Sequence, residues 1–264
     1  MVRKRARRLK RFREESERVK DADMFKIVEE VFDSITMGFI YRLESRKVLR
    51  ELKGAISSGK ESRVYWAKGW KGEDLAVKIY LTETSDFKKS IRKYIEGDPR
   101  FEGIFETNFR RLIYEWAKKE YRNLKRMYES GVRVPRPIAF AGNVLVMEFI
   151  GEEGYRAPLL VEVAGELEVE EFKAIYLDLK TQIETLVCKA SLVHADLSEY
   201  NVMIFDGKPW IIDVSQAVDL EHPRSMEFLE RDLLNVHRFF SDYINVEPLE
   251  ELRGVVLKCL EVRV

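Results

Sequence analysis

Apolar positions recur along this chain with two periods, one helical and one alternating. Met24, Ile27, Val28, Val31, Phe32 and Ile35 fall at helical spacing from Asp23 onward. They predict an amphipathic helix docked on the protein body, with a partner-binding helix as the alternative. Val64 to Ala67 alternates as a strand does, and Leu75-Ala76-Val77-Lys78-Ile79-Tyr80 is an apolar strand with one lysine inside it. Arg110 to Tyr128 is rich in helix formers. Val134-Pro135-Arg136-Pro137 forces an extended entry into Ile138 to Phe140, and Ala141-Gly142-Asn143 turns the chain into Val144 to Ile150. Phe172, Ile175, Leu179, Ile183 and Leu186 then recur at roughly helical intervals, and Met226 to Tyr243 reads as a further helix. Thr82 to Thr107 is polar and broken by Gly97, Asp98, Pro99 and Gly103, so a long loop is predicted there.

Candidate chemistry gathers around a predicted hairpin. Val202 to Phe205 and Trp210 to Ile212 flank Asp206-Gly207-Lys208-Pro209, a tight-turn sequence, so the open ends of the two strands must lie side by side. Asn201 enters the first strand and Asp213 follows the second. Their side chains can share a divalent ion that prefers oxygen ligands. Asp196, on the loop before, can take the proton of an attacking hydroxyl while a metal neutralises phosphate. The spacing from Asp196 to Asn201 is that of the protein-kinase catalytic loop, with Ala195 in place of the usual arginine.

A phosphate-binding turn is predicted upstream. Ile56-Ser57-Ser58-Gly59-Lys60-Glu61-Ser62 followed by Arg63 to Ala67 reads as strand, turn, strand, with small residues that leave amide N–H groups to face phosphates. Gly54 to Lys60 also meets most of a Walker A pattern. Against it, Glu61 stands where Ser or Thr is needed, and a strand follows where a helix is required.

His194-Ala195-Asp196-Leu197-Ser198-Glu199-Tyr200-Asn201 together with Ile212-Asp213-Val214-Ser215-Gln216 resembles the RIO family of atypical protein kinases, its first branch most closely. The resemblance implies an α+β, two-lobed protein-kinase-like fold. Its small N-lobe holds an antiparallel sheet with a helix, its C-lobe is mainly helical, an N-terminal helical extension precedes both, and no activation or Ala-Pro-Glu segment follows Asp213. The expected division is residues 1–50 as basic arm and helical extension, 51–150 as N-lobe with 82–107 as a flexible loop, and 151–264 as C-lobe.

The same resemblance implies an ATP-dependent serine/threonine kinase that autophosphorylates, with Mg2+ as metal and Mn2+ as a substitute. It assigns Asp196 as proton acceptor and Asn201 and Asp213 as metal ligands. Ser57, Ser58, Gly59, Lys60 and Val64 would cover the nucleotide, and Lys78 would hold its phosphates. Glu120 would pair with Lys78, Glu115 being the competitor. Met147, Glu148 and Ile150 would surround adenine, the last two through main-chain groups. The acceptor is a protein substrate or the chain itself, with Thr82, Thr84, Ser85, Ser90 and Thr107 as hydroxyls within the loop. An alternative implied activity is an ATPase that assembles and releases pre-ribosomal particles through a phosphoaspartate on Asp213.

Composition adjusts this picture at the edges. Lys plus Arg and Asp plus Glu each total 46, so the molecule as a whole is no polycation. Arg3 to Arg13 nevertheless carries its cations before the first acid, Glu14. Such an arm attracts nucleic-acid phosphates, and with the family's implied work on the small ribosomal subunit, residues 1–13 become a candidate rRNA contact. A solvated helix end is the alternative. Cys188 and Cys259 lack metal-type spacing and read as packed thiols of a reducing compartment. No long apolar run is present, so no membrane contact and a cytoplasmic protein are expected.

Overall fold

The computed structural model describes residues 32–82, 85–104 and 108–261, apart from the side chains of 85–87, 99, 255 and 259–261. The basic arm and Met24 to Val31 of the predicted first helix lie outside the described residues. Helix α1 (Ser34–Ser45) starts at Asp33, which is extended and whose carboxylate accepts the Thr36 N–H at 2.8 Å as an N-cap, so Ile35 lies on this helix. Phe32, before the cap, is buried; Ile35, after it, is 49 % exposed.

Strands β1 (Leu49–Ser58), β2 (Ser62–Gly69), β3 (Asp74–Tyr80), β4 (Pro137–Ala141) and β5 (Val144–Glu148) form one antiparallel sheet in the order β1-β2-β3-β5-β4. Side chains alternate between its faces. Tyr65, Ala67, Leu75, Val77, Ile79, Val144 and Val146 pack with Met37, Ile40 and Leu43 of α1, so the helical extension closes the outer face. The register Val64↔Lys78↔Leu145 sets those three residues in a row on the inner face.

The inner face meets helix α3 (Phe109–Glu129), whose Leu112, Ile113, Trp116, Leu124 and Met127 share one core with the helical half of the molecule. That core includes helices α5 (Val169–Cys188), α6 (Ser225–Ser241) and α7 (Leu249–Glu261). Short strands β6 (Gly151–Glu152) and β7 (Tyr155–Arg156) and the one-turn helix α4 (Leu160–Val163) join the two halves. Gly154 sits here at φ +84°, where an added Cβ would stand 2.6 Å from the Trp66 ring; the linker closes directly on β2.

Two expectations are corrected. The stretch read as a loop contains helix α2 (Ser85–Ile95) and a 3-10 turn at Pro99–Phe101. Its many polar residues are one side of an amphipathic helix, and Ile91, Tyr94 and Ile95 are the buried side. The Tyr94 ring lies 5.3 Å from that of Phe228 and 6.4 Å from that of Trp116. Cys188 is disulfide-bonded, not a free thiol. It ends α5 against α7, with its sulfur 3.7 Å from the Val256 carbonyl oxygen. The side chain of the other cysteine, Cys259, lies outside the described residues.

Candidate active site

Two short ladders brace the loops that carry the acids. Strand β8 (Leu192–Val193) pairs with β11 (Val218–Asp219), and β9 (Val202–Phe205) pairs with β10 (Lys208–Ile211) as the predicted hairpin. Asp196 to Asn201 therefore spans β8 to β9, and Asp213 lies between β10 and β11. The Ile212 N–H donates to the Asn201 carbonyl at 3.0 Å, which brings the two loops together. The Asn201 amide donates to the Asp196 carbonyl oxygen at 2.8 Å and lies 3.4 Å from its carboxylate.

Both loops carry a non-glycine residue in the left-handed region, Ala195 at φ 66° and Asp213 at φ 55°. Such backbone persists only where its surroundings fix it. The buried Asp232 carboxylate on α6 accepts the N–H of Ala195 at 2.7 Å and of Leu197 at 2.9 Å. Arg231 donates to the Ala195 carbonyl and Asn235 to that of Leu197, so one helix holds the whole first loop. Burial pushes the Asp232 carboxyl up to about 7, against the pull of those two N–H groups.

The second loop is held from α3. The buried Lys119 ammonium donates to the Ser215 carbonyl at 2.7 Å, and the Asn123 amide to the carbonyls of Val214 at 3.2 Å and Ala217 at 2.9 Å. Burial and the nearby Arg100 lower the Lys119 pKa to about 7. His194 Nε2 lies 3.0 Å from the Ile212 carbonyl, an acceptor, so Nε2 carries the proton. Burial lowers its pKa to about 4, which keeps the ring neutral.

Lys78 stands at the centre. Its ammonium lies 2.9 Å from Glu120 and 2.8 Å from Asp213, joining β3, α3 and the second loop. Burial opposes its charge, but the Asp213 and Glu120 carboxylates overcome that and hold the ammonium well above its usual range. Glu120 also accepts from the Tyr80 hydroxyl. Glu115, the competing acid, pairs with Lys118 at 2.9 Å instead. Asp213 keeps half of its side chain open to the cleft and accepts the Ser215 hydroxyl at 2.9 Å. Enclosure raises its carboxyl, yet Lys78 wins and the group is held below the usual range. Asp196 goes the other way, raised by burial and by the Asp213 carboxylate.

The remaining predicted residues lie on the sheet and its β1–β2 turn and in the stretch after β5. Ser57, Ser58, Gly59 and Lys60 are exposed at the β1–β2 turn, where the Gly59 N–H donates to Ser62 O at 2.9 Å; β2 follows as a strand, which excludes a Walker A loop. Val64 is Lys78's neighbour across β2, and Met147 pairs with Ala76. The Glu148 N–H is used by Arg136 O at 2.9 Å, and the Ile150 carbonyl accepts from Ala157 N–H at 2.8 Å. Asp232, Lys119, Asn123 and Arg231 were not foreseen. An acid between Leu229 and Leu233, on the same apolar face as Phe228 and Val236, was the available signal for Asp232. Nothing in Lys118-Lys119 distinguishes the buried lysine from its neighbour.

The model of the RIO domain matches residues 63–251. Serine/threonine-protein kinase RIO1 of Caenorhabditis elegans is 44% identical over 226 residues, which cover 85% of this chain and 44% of that protein. The RIO-type serine/threonine-protein kinase Rio1 of Haloferax volcanii is 45% identical over 223 residues, 84% of this chain and 74% of that protein. The chain belongs to the RIO family. It spans less than half the length of the nematode RIO1 it matches. Among solved structures, the Rio2 kinase-ADP/Mg2+-phosphoaspartate complex from Chaetomium thermophilum superposes with a TM-score of 0.62 at 24% identity, covering 84% of this chain and 69% of that one. The likeness establishes the two-lobed, α+β kinase-like fold expected of a RIO protein. The RIO match takes in Lys78, Glu120, Asp196, Asn201 and Asp213, while Ser57 to Lys60 precede it.

Proposed function

We propose that this RIO-family chain is an ATP-dependent serine/threonine protein kinase whose site lies between the two lobes. The observation that carries the proposal is Lys78, a buried cation held by one carboxylate from α3 and a second, half-exposed one from the loop after β10. Such a lysine is suited to steady the phosphates of a nucleotide. Met147 and the main chain of Glu148 and Ile150 would take adenine, with the Ser57 to Lys60 turn and Val64 over the phosphates. Asn201 and Asp213 would hold Mg2+. Phosphate and water oxygens would complete the coordination of such an oxygen-preferring ion. When bound, Mg2+ neutralises charge developing on the phosphates; Mn2+ accepts the same donors.

In the transfer step the acceptor oxygen bonds to the γ-phosphorus, the bond to ADP breaks, and the hydroxyl proton passes to Asp196. Burial raises the Asp196 carboxyl, which makes it a better base than an exposed aspartate. The chain itself and another protein are both acceptors to test. A second reading is an ATPase in which an Asp213 oxygen bonds to the γ-phosphorus as the bond to ADP breaks, and water then cleaves the acyl phosphate to release inorganic phosphate. The phosphoaspartate named for the Chaetomium Rio2 complex favours it, as does the ionised, accessible carboxyl of Asp213. Either activity would serve maturation of the small ribosomal subunit in the cytoplasm. Among the described residues no helix is long and apolar enough to cross a membrane.

Following labelled γ-phosphate separates the two. Acid-stable label on serine or threonine supports the kinase; hydroxylamine-sensitive label with steady phosphate release supports the ATPase. Absence of both sinks the proposal.

A further inference from the structure

Protein kinases commonly hold a peptide acceptor on a segment after the metal-binding aspartate, and here residues 214–224 run almost directly from Asp213 into α6. The wall that faces Asp196 from the other side is α2. Lys89, Arg92 and Lys93 of that helix, with Glu96 just after it, line an open cavity of about 560 Å³ whose floor includes Asp196 and Gln216. The spacing of three and four residues sets the three cations on one helix face.

That face is fixed in place. Ile91, Tyr94 and Ile95 anchor α2 in the core, and the Lys93 ammonium lies over the Tyr94 ring at 4.7 Å. The Ser90 hydroxyl donates to Glu61 at 2.7 Å, just past the β1–β2 turn. Arg231 adds positive potential behind the floor, where it lowers the Asp196 pKa. Of the described carboxylates near, Asp196 is the proposed base, Glu227 is paired with Arg224 at 2.6 Å, Glu61 accepts the Ser90 hydroxyl, and Glu96 opposes the cations at the rim.

We infer that Lys89, Arg92 and Lys93 on α2 form a substrate-selecting rim that favours peptide acceptors whose serine or threonine is flanked by acidic or phosphorylated side chains. The inference rests on Asp196 being the site's base, because the rim matters only if the acceptor hydroxyl is delivered there. A nucleic-acid strand is the poorer occupant, since its continuous phosphates would meet Glu96 and Asp196. Selection works by attraction of acidic flanks and by repulsion of basic ones.

The test uses the full chain with Mg2+-ATP and three serine peptides of equal length whose flanks are acidic, neutral or basic. Individual exposed pairs are weak, so two or three acting together should give the acidic peptide a kcat/KM about tenfold above the neutral one, with the basic peptide lowest. Raising salt should erase the difference. Lys89→Glu with Lys93→Glu should reverse the order, each rate being taken relative to the same variant's rate on the neutral peptide. Equal rates for acidic and neutral peptides at low salt, or an order that survives the charge reversal, would overturn the inference.

A binding arm separates this from failure of the kinase reading. Fluorescence anisotropy with the acidic peptide carrying alanine for serine, in Mg2+-ADP, should show binding that the double variant loses. Such binding without any transfer to the serine peptide sinks the kinase and leaves the rim. Tighter, rim-dependent binding of a single-stranded oligoribonucleotide that displaces the peptide would reassign the rim to nucleic acid and overturn the inference. Phosphoserine and aspartate flanks, compared in the same assay, show which anion it prefers.

Discussion

Asp196 and Lys119 are both titratable groups displaced from their usual range by burial, and each makes a separate demand on experiment. Asp196→Asn should retain nucleotide binding while transfer falls by about 10² to 10⁴, the usual worth of a positioned base. Because burial and Asp213 raise its carboxyl, wild-type activity should be lost as pH falls through a limb above the ordinary aspartate value of about 3.9; initial rates against pH locate it. Lys119 has a native pKa of about 7, against about 10.4 for a free lysine. Between those values the unfolded chain binds more protons than the native one, so this group makes stability rise with pH over that window. Lys119→Met should flatten that rise in denaturant titrations run from neutral to alkaline pH. That Asp196, Asn201 and Asp213 come together was legible in sequence, because a loop spacing and a hairpin brought their elements side by side. The residues that hold them were not, since Lys119, Asn123 and Asp232 act from distant helices on backbone groups that no spacing reveals.

Among the elements, the β9–β10 hairpin was the most readable, because a turn sequence between two apolar runs determines its partner locally. Helix α2 was the least. Among its described side chains, three buried residues on a single face carry it, and Gly97, Asp98 and Pro99, which suggested a long irregular stretch, only end it. Tyr94→Ala should destabilise the protein by about 3 kcal/mol, in the range for emptying a large aromatic site, as read from the denaturant midpoint. The same variant should loosen the wall facing Asp196 and raise KM for protein acceptors more than for ATP. Apolar periodicity runs through Asp33 into Ile35, but the backbone does not: the Asp33 cap starts α1 there.

At the scale of the whole molecule, antiparallel sheet, helical half and linker follow the order that the family resemblance implied, and the lobes meet through the buried Lys78. Glu120→Ala should cost about 3 kcal/mol, because removing one member of a buried ion pair strands the other. Thermal unfolding followed at several wavelengths would register it, and nucleotide affinity should fall in parallel. Adjacent positions on one helix make this coupling unavoidable. Glu120 of α3 reaches up to the sheet while Lys119 and Asn123 reach across to the segment around Ser215. Any small rotation of that helix is thus felt by Lys78 and by the loop after Asp213 at once, so a molecule that pried α3 outward would disable the proposed site as a unit instead of dimming one step at a time.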